Sequence, residues 1–454
     1  MSTTHSITPQ PATIADYPPQ SRLPFPLQTL LYSRVRHRWL TSLRARYGDV
    51  FAVRVPPYAD RLVVVSRPEH VRQIFAADAT DVHGGEGNHL IAGLMGERSV
   101  MVLDEEDHAR MRRLLTPAFG GAALRGYRTL IEDITRTELE RWSSGDTIAG
   151  LNRMNAMALE MIVQVVFGVT DPQRRAELGP RLEQVVGIHP LVLAGLHWPQ
   201  LRNIGPWWRF HINEHAINEL LYKELLERRI DNNVAQRSDV LSRMVAVGAG
   251  ERADKPLSDR EVRDQLITLL LAGHETTASA LAWTLYELAA NPHIQDLART
   301  AVAEGDDKYL DAVFKESMRL HTVIGGTYRR VTREMSIGGY RIPAGVYVTT
   351  SSLLTHHDPE NFPDALQFRP ERFLEGEVAP HSWYAFGGGV RRCLGAAFAQ
   401  LEGTVVLREV LTRYRLSLPP GARPERDLVR NITHVPSGGA LVTVTSVSQE
   451  DRTC

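Results

Sequence analysis

The feature that most limits what this chain can become is the run from Ser258 to Ala290, the longest helical signal in the sequence. Ser258 and Glu261 are placed to form a capping box, and Asn291-Pro292 supplies the stop. At about 1.5 Å per residue the helix would extend roughly 50 Å, enough to cross a whole domain. Its middle, Leu266 to Leu285, is apolar nearly all round, which demands burial. A membrane span would also bury it, but Ala272-Gly273-His274-Glu275-Thr276-Thr277 lies at the centre. A buried acid and hydroxyls are costly unless paired or used. Thr276 can bond back to the carbonyl of Ala272 and loosen the helix there. Gly273 is expected to leave room for a flat ligand against the backbone, and His274 reads as structural.

The second constraint is Phe386 to Gly395, F-G-G-G-V-R-R-C-L-G. The only other cysteine, Cys454, is the last residue, so Cys393 has no disulfide partner held in place. Glycines let backbone N–H groups approach a sulfur closely. Two arginines and the start of a helix (Ala396 to Arg415) both favour the thiolate. The residue alone reads equally as a small buried hydrophobe. A phosphate-cradling loop would need a preceding strand and Ser/Thr-Lys chemistry, and neither is present.

The 454-residue length suggests about three domains, yet no linker or charge block divides the interior, which reads as one domain over 21–454 behind a disordered tail, 1–20. The net charge of -1 gives no argument for nucleic acid. Two cysteines imply no disulfide framework and a reducing compartment. The polar start offers neither signal peptide nor membrane anchor. A cytoplasmic, soluble monomer is the expectation.

Along the chain, Leu27 to Tyr47 reads as one helix, followed by strands at Val50–Val55 and Arg61–Val65 around a Pro-Pro turn. Val82 to Val102 looks loop-like, with glycines among Leu90, Ile91, Leu94 and Met95, and suits a lid over a pocket. Asp104 to Phe119 has the charge order of a capped helix and places His108 and Arg112 on one face. Helical patterns continue through Tyr127–Trp142, Met154–Phe167 and Gln173–Val186. The apolar segment 187–198 is placed over a substrate. Glu316 and Arg319 are three apart on a helix, Arg372 follows in F-R-P-E-R-F, and Asn431 to Val444 reads as a hairpin around Ser437-Gly438-Gly439.

These motifs resemble, in order, those of the cytochrome P450 superfamily, over about residues 25 to 447. Phe386, Gly389, Cys393 and Gly395 fit its haem-ligand loop F-x-x-G-x-x-x-C-x-G, and Ala272 to Thr277 fits its oxygen-activation motif. The resemblance implies a mainly α fold with a small β region, haem b lying between the long helix and the cysteine loop. It makes Cys393 the iron ligand, with Phe386, Gly387, Gly395, Ala272 and Gly273 against the cofactor. Thr276 would steady oxygen and its water, and Glu275 would relay protons. His108 with Arg112, Arg391, and Arg329 (Arg330 being an adjacent rival) would hold the haem propionates, while Glu316, Arg319 and Arg372 would be structural. After Arg319-Leu320-His321 the family usually has prolines. Here Thr322 to Gly326 follows, and its glycines could enlarge the site. Leu90, Leu94, Val323, Ile324 and Thr433 are the pocket candidates.

The implied reaction is O2-dependent hydroxylation of an apolar small molecule of steroid, terpenoid, fatty acyl or polyketide type. Electrons would come from NAD(P)H through a separate ferredoxin and ferredoxin reductase, with Arg113 and Arg392 as the basic docking patch. A peroxide-driven peroxygenase and a non-catalytic haem sensor are the alternatives. Glu275-Thr276 argues against both.

Overall fold

Why the long helix organises the chain is visible in the computed structural model, which describes residues 16–56, 58–168, 200, 205–246, 256–376, 378–430 and 432–447. The helix runs unbroken over Asp259–Ala290. The Ser258 N–H donates to Glu261 Oε2 at 2.8 Å and the Glu261 N–H returns a bond to Ser258 Oγ at 3.3 Å, the reciprocal cap expected. Nearly all of it is sealed by α8 (Gly150–Phe167), by the helices Asp307–Leu320 and Ala396–Arg413, and by a shared apolar core. None of the described helices is long and apolar enough to cross a membrane. The fold is mainly helical with a small β region, as expected.

A five-stranded sheet with strand order β1-β2-β8-β5-β3 joins strands from residues 50–83 to strands from residues 327–350. β1 (Val50–Val55) and β2 (Ala59–Val65) form an antiparallel hairpin, and β8 (Tyr347–Thr350) runs parallel to β2. β5 (Thr327–Val331) carries Arg329, and β3 (Val82–His83) closes the edge. The Ser21 N–H donates to Ala52 O at 3.0 Å and the Ala52 N–H to Pro19 O at 2.8 Å. Residues on both sides of position 20 are thus bonded to β1. The single helix expected over 27–47 divides into α1 (Phe25–Arg34) and α2 (Arg36–Tyr47). Val35 is not helical (φ -137°), and Arg36 Nε donates to Tyr32 O at 3.2 Å, taking the acceptor a continuing helix would use.

Three further expectations need correction. The loop-like segment after Val82 folds as α4 (Gly84–Gly87) and α5 (His89–Met95). Its glycines are contact points, since a Cβ on Gly87 would lie 2.4 Å from Tyr328 O and one on Gly96 2.2 Å from the Asp264 carboxyl. The segment is then strapped to the long helix. Asp264 accepts from the Arg98 N–H and Gln265 from the Val100 N–H, both at 2.9 Å. A strapped segment is a wall, not a lid.

Asn431 to Val444 is not one hairpin. β11 (Thr433–Pro436) pairs with β10 (Asp427–Arg430), whereas β12 (Leu441–Ser446) joins β4 (Thr147–Ala149) and β9 (Tyr414–Ser417). Glu425 accepts from the Gly438 N–H at 2.6 Å and the Ala440 N–H at 2.9 Å, turning the chain out of one sheet into the other. The glycines after Thr322 do not widen anything. A Cβ on Gly326 would sit 2.3 Å from Thr350 O, and Gly325 packs against His434 and Leu353. The expectations at Gln173–Val186, at 187–198 and at Cys454 lie outside the described residues.

Glu316, Arg319 and Arg372 form a fully buried network. Arg319 donates to both Glu316 oxygens (2.7 and 2.9 Å) and to the carbonyls of His356, Ala365 and Gln367. Arg372 donates to Glu316 at 3.2 Å and to the carbonyls of Pro363 and Asp364. Every charge there has its partner.

Candidate active site

The long helix is sealed from Val262 to Leu270 and from Thr277 to Leu285, but Leu271, Ala272, Gly273 and Thr276 are partly or fully open. Ala272 and Thr276 are four apart and so share one face. The Thr276 hydroxyl donates to Ala272 O at 2.6 Å, as the sequence predicts, which leaves its oxygen free to accept. Gly273 serves a different purpose from the one expected. A Cβ there would meet Ile162 Cδ1 at 2.7 Å, so the glycine permits close helix packing against α8. His274 Nε2–H donates to Asn155 O of α8 at 3.0 Å, and burial pulls its pKa down to about 4, which keeps it neutral and structural.

Cys393 lies in a tight loop. Its N–H donates to Phe386 O at 2.9 Å, and a 3₁₀ turn over Gly389–Arg391 precedes it. Gly387 and Gly389 have φ of 64° and 62°, left-handed values that favour glycine. A Cβ on Gly388 would sit 2.2 Å from the Phe75 ring, and one on Gly389 2.1 Å from Phe75 O. Phe386 packs edge-on to Trp383 and against the main core. The thiol is accessible although protein surrounds it, as befits a group on the wall of an interior cavity, and the Cβ position of Gly395 also faces open space. Burial raises the thiol's pKa. The Gly395 N–H and the Arg112 and Arg392 guanidinium groups act against that shift without overcoming it. Arg392 thus acts in the direction the sequence indicates, but desolvation outweighs it.

Beside the sulfur, cations collect. His108 and Arg112 come from α6 (Glu105–Leu115), Arg329 from β5 and Arg391 from the cysteine loop. Burial, then Arg391, Arg112 and Arg329, push His108 down to about 4, so all three guanidinium groups bear on one imidazole. Arg329 is buried and donates to Tyr328 O at 2.8 Å, whereas Arg330 points outward and pairs with Glu86. Burial lowers Arg329 to about 10, which leaves it charged at neutral pH. Among the described residues neither Arg112 nor Arg329 forms an ion pair. Arg391 donates to Val100 O at 3.1 Å and also to Leu103 O and Asp104. Part of its fork is therefore held by the chain.

Asp104 is a residue whose role the sequence hid. It opens α6, but its carboxylate accepts from the Gly85 and Glu86 N–H groups (2.8 and 2.9 Å) and from Arg391, capping α4 instead.

Glu275 is buried and turned toward the β10–β11 turn, where Arg430 Nε donates to Oε1 at 2.5 Å. Burial raises its pKa, while Arg430 and the adjacent Thr433 hydroxyl oppose the rise. Arg430 was not anticipated, since no local pattern connects residues so far apart in sequence. Thr433 is buried behind this acid and donates to Arg430 O at 2.9 Å, so it does not line the pocket as expected. Leu94 does pack with Leu271, Phe210 and Trp207, a cluster next to the open window. Leu90 is partly exposed. Val323 is buried, its carbonyl accepting from the His434 N–H at 2.8 Å, and Ile324 is half-buried.

Does this cavity fit an iron porphyrin? The macrocycle is flat and apolar, carries two carboxylates, and needs one soft axial donor. The accessible Cys393 sulfur, the open face at Ala272 and Thr276, and the Arg112 and Arg329 guanidinium groups, which lack carboxylate partners among the described residues, supply those three needs. The residues fit the group.

Comparison with known proteins agrees. The family model described as cytochrome P450 matches residues 17–443. Cytochrome P450 135A1 of Mycobacterium tuberculosis is 53% identical over 423 residues, 93% of this chain and 94% of the relative. Cytochrome P450 135B1 of the same organism is 36% identical over 94% of this chain and 91% of its own length. Among solved structures, retinoic acid-bound cyanobacterial CYP120A1 superposes with a TM-score of 0.84 at 25% identity, covering 95% of this chain and all of that one.

Proposed function

The chain belongs to the cytochrome P450 family and is a haem-thiolate monooxygenase, and from that premise we propose that it hydroxylates an elongated apolar molecule, terpenoid or fatty acyl in kind, using electrons from NAD(P)H passed through a ferredoxin reductase and a ferredoxin. When bound, haem supplies the activation of O2, placing one oxygen atom in a C–H bond while the other leaves as water with two protons and two electrons. The observation that carries the site assignment is the accessible Cys393 sulfur beside Arg112 and Arg329, neither of which has a carboxylate partner among the described residues.

Cys393 Sγ would hold the haem iron, and the Gly395 N–H bonded to it would moderate the charge on the sulfur. Arg112, Arg329 and His108 offer donors for the cofactor's carboxylates, with the remaining N–H groups of Arg391. Thr276 Oγ, its own hydrogen held by Ala272 O, accepts a hydrogen bond from a water at the open face. Glu275 carries protons to that water from the Arg430 side, and burial, which raises its pKa against the pull of Arg430, favours its protonated form. The wall of Leu94, Leu271 and Phe210 excludes water and grips hydrocarbon. The elongated shape is supported by the structural neighbour whose title records retinoic acid. Arg113 and Arg392 offer positive charge to an acidic ferredoxin.

Thr276→Ala tests the relay. The haem-loaded variant is expected to keep its carbon monoxide difference spectrum but to lose about 10-fold in product formed per NAD(P)H, releasing peroxide instead. Unchanged coupling would remove Thr276 from the mechanism.

A further inference from the structure

The helix Gly205–Arg229 has two opposed faces. Inward it buries Phe210, Asn213, Ile217, Leu221 and Leu225. Its rotation is fixed by polar contacts. Buried Arg228 donates to Asp239 and to Phe167 O, both at 2.8 Å, and Arg263 Nε donates to Asn218 Oδ1 at 2.7 Å. Outward, on one stripe, lie Trp208, Ile212, His215, Glu219, Tyr222 and Leu226, all exposed. Trp208 is 53% exposed and Leu226 64%. A single outward apolar residue needs no explanation, but four on one line of a seated helix do.

From 208 to 226 the stripe steps by four and three residues in turn, the spacing of a helix that packs lengthwise on another helix. It also matches itself when turned end for end. Trp208 and Leu226 stand nine residues either side of Ile217, Ile212 and Tyr222 five, and His215 and Glu219 two. An antiparallel pair of these helices would set large apolar side chains together in the outer layers and imidazole against carboxylate in the middle. A parallel pair would set Glu219 against its own copy, which is repulsive. Within one chain His215 Nε2 and Glu219 Oε1 are 3.8 Å apart, beyond hydrogen-bond reach, so both keep capacity for a partner. At the rim, Arg209 of one copy would fall between Lys223 and Glu227 of the other, close to neutral. A bilayer would accept the apolar ends but would have to bury the acid and imidazole between them.

We propose that this face is a two-fold, antiparallel contact with a second copy of the chain, centred on position 217. The sequence read alone suggests a monomer, whereas the self-matching stripe calls for a reversible dimer. At about 1.5 Å per residue the seam is roughly 27 Å long. Two helices touching over that length bury an area at the low end of specific interfaces, so the dimer is expected to dissociate on dilution. The contact uses the side of the helix away from Phe210 and stands whatever the substrate is.

The test is sedimentation-velocity ultracentrifugation of the haem-loaded full chain from roughly 1 to 100 µM. A monomer–dimer equilibrium within that range is expected. Leu226→Ser, which acts twice in each dimer, should weaken association about 30-fold or more. Glu219→Lys should weaken it about 10-fold. Adding His215→Glu to that variant should recover most of the loss, because the exchanged charges meet only in the antiparallel register. All three variants should keep the parent absorbance spectrum, since these side chains lie outside the core. A monomer at every concentration overturns the proposal, and capture of that monomer on phosphatidylglycerol vesicles would give the face to lipid instead. A dimer indifferent to Leu226→Ser, or one that His215→Glu fails to restore, overturns it as well.

Discussion

Two arginine clusters among the described residues are opposites. Around Glu316, the guanidinium groups of Arg319 and Arg372 are closed in by one carboxylate and five carbonyls. Around His108, the cations of Arg112, Arg329 and Arg391 converge, and among the described residues only Arg391 of the three forms an ion pair, with Asp104. Burying a charge is tolerable only when it is paired. The first cluster is complete within the chain and therefore belongs to the scaffold. The second is complete only when something anionic arrives. Satisfaction, and not residue type or burial, separates a structural arginine from a ligand-binding one.

The strongest way to break this comparison is Arg319→Ala. It leaves Glu316 buried without its main partner, and should cost about 3–5 kcal/mol in urea unfolding of the haem-free chain. A smaller loss would mean that the network is not holding the fold. The next is Glu402, buried on the helix after the cysteine loop, with Oε1 lacking a hydrogen-bond partner and a pKa raised by burial from 4.5 to about 8. A carboxyl can escape an unpaired charge by keeping its proton, whereas an arginine cannot. Between those two values the folded chain holds a proton that the unfolded chain has released. Stability therefore falls as pH rises through that window, by up to ~1.4 kcal/mol per pH unit. In Glu402→Gln that slope should be lost, which urea midpoints taken across the same range would reveal.

Arg329→Met sharpens the contrast further. Removing an unmatched cation should leave the haem-free chain as stable as before or more so, while haem affinity falls about 10- to 100-fold in a spectral titration. A loss of apoprotein stability like that of Arg319→Ala would erase the distinction. The smallest effect belongs to its neighbour. Arg330→Ala breaks a half-exposed pair with Glu86 and should change stability by less than ~1 kcal/mol and haem affinity not at all.

Much of this was legible in the sequence where chemistry is local. Ser258 caps the long helix, Thr276 bonds to Ala272, and Glu316 meets Arg319, because each pair lies within a turn of helix. What escaped was long-range. The glycines of 84–96 read as a loop because their reason lies in Tyr328, Asp264 and Arg391, far along the chain. Gly273 answers to Ile162, and Glu275 to Arg430. The pKa of Cys393 follows from enclosure, which no neighbouring letter announces.

The contact of Phe75 with Gly388 and Gly389 has a bearing on how a nascent chain matures. The cysteine loop is moulded against α3 (Pro68–Ala76), which follows directly after the β1–β2 hairpin. A ribosome delivers that anvil some three hundred residues before the loop that is pressed on it, and domains tend to fold from the N-terminus during synthesis. The surface that shapes the loop is therefore complete only once residues 68–76 and 386–395 have met, and a product lacking α3 would lack that seat.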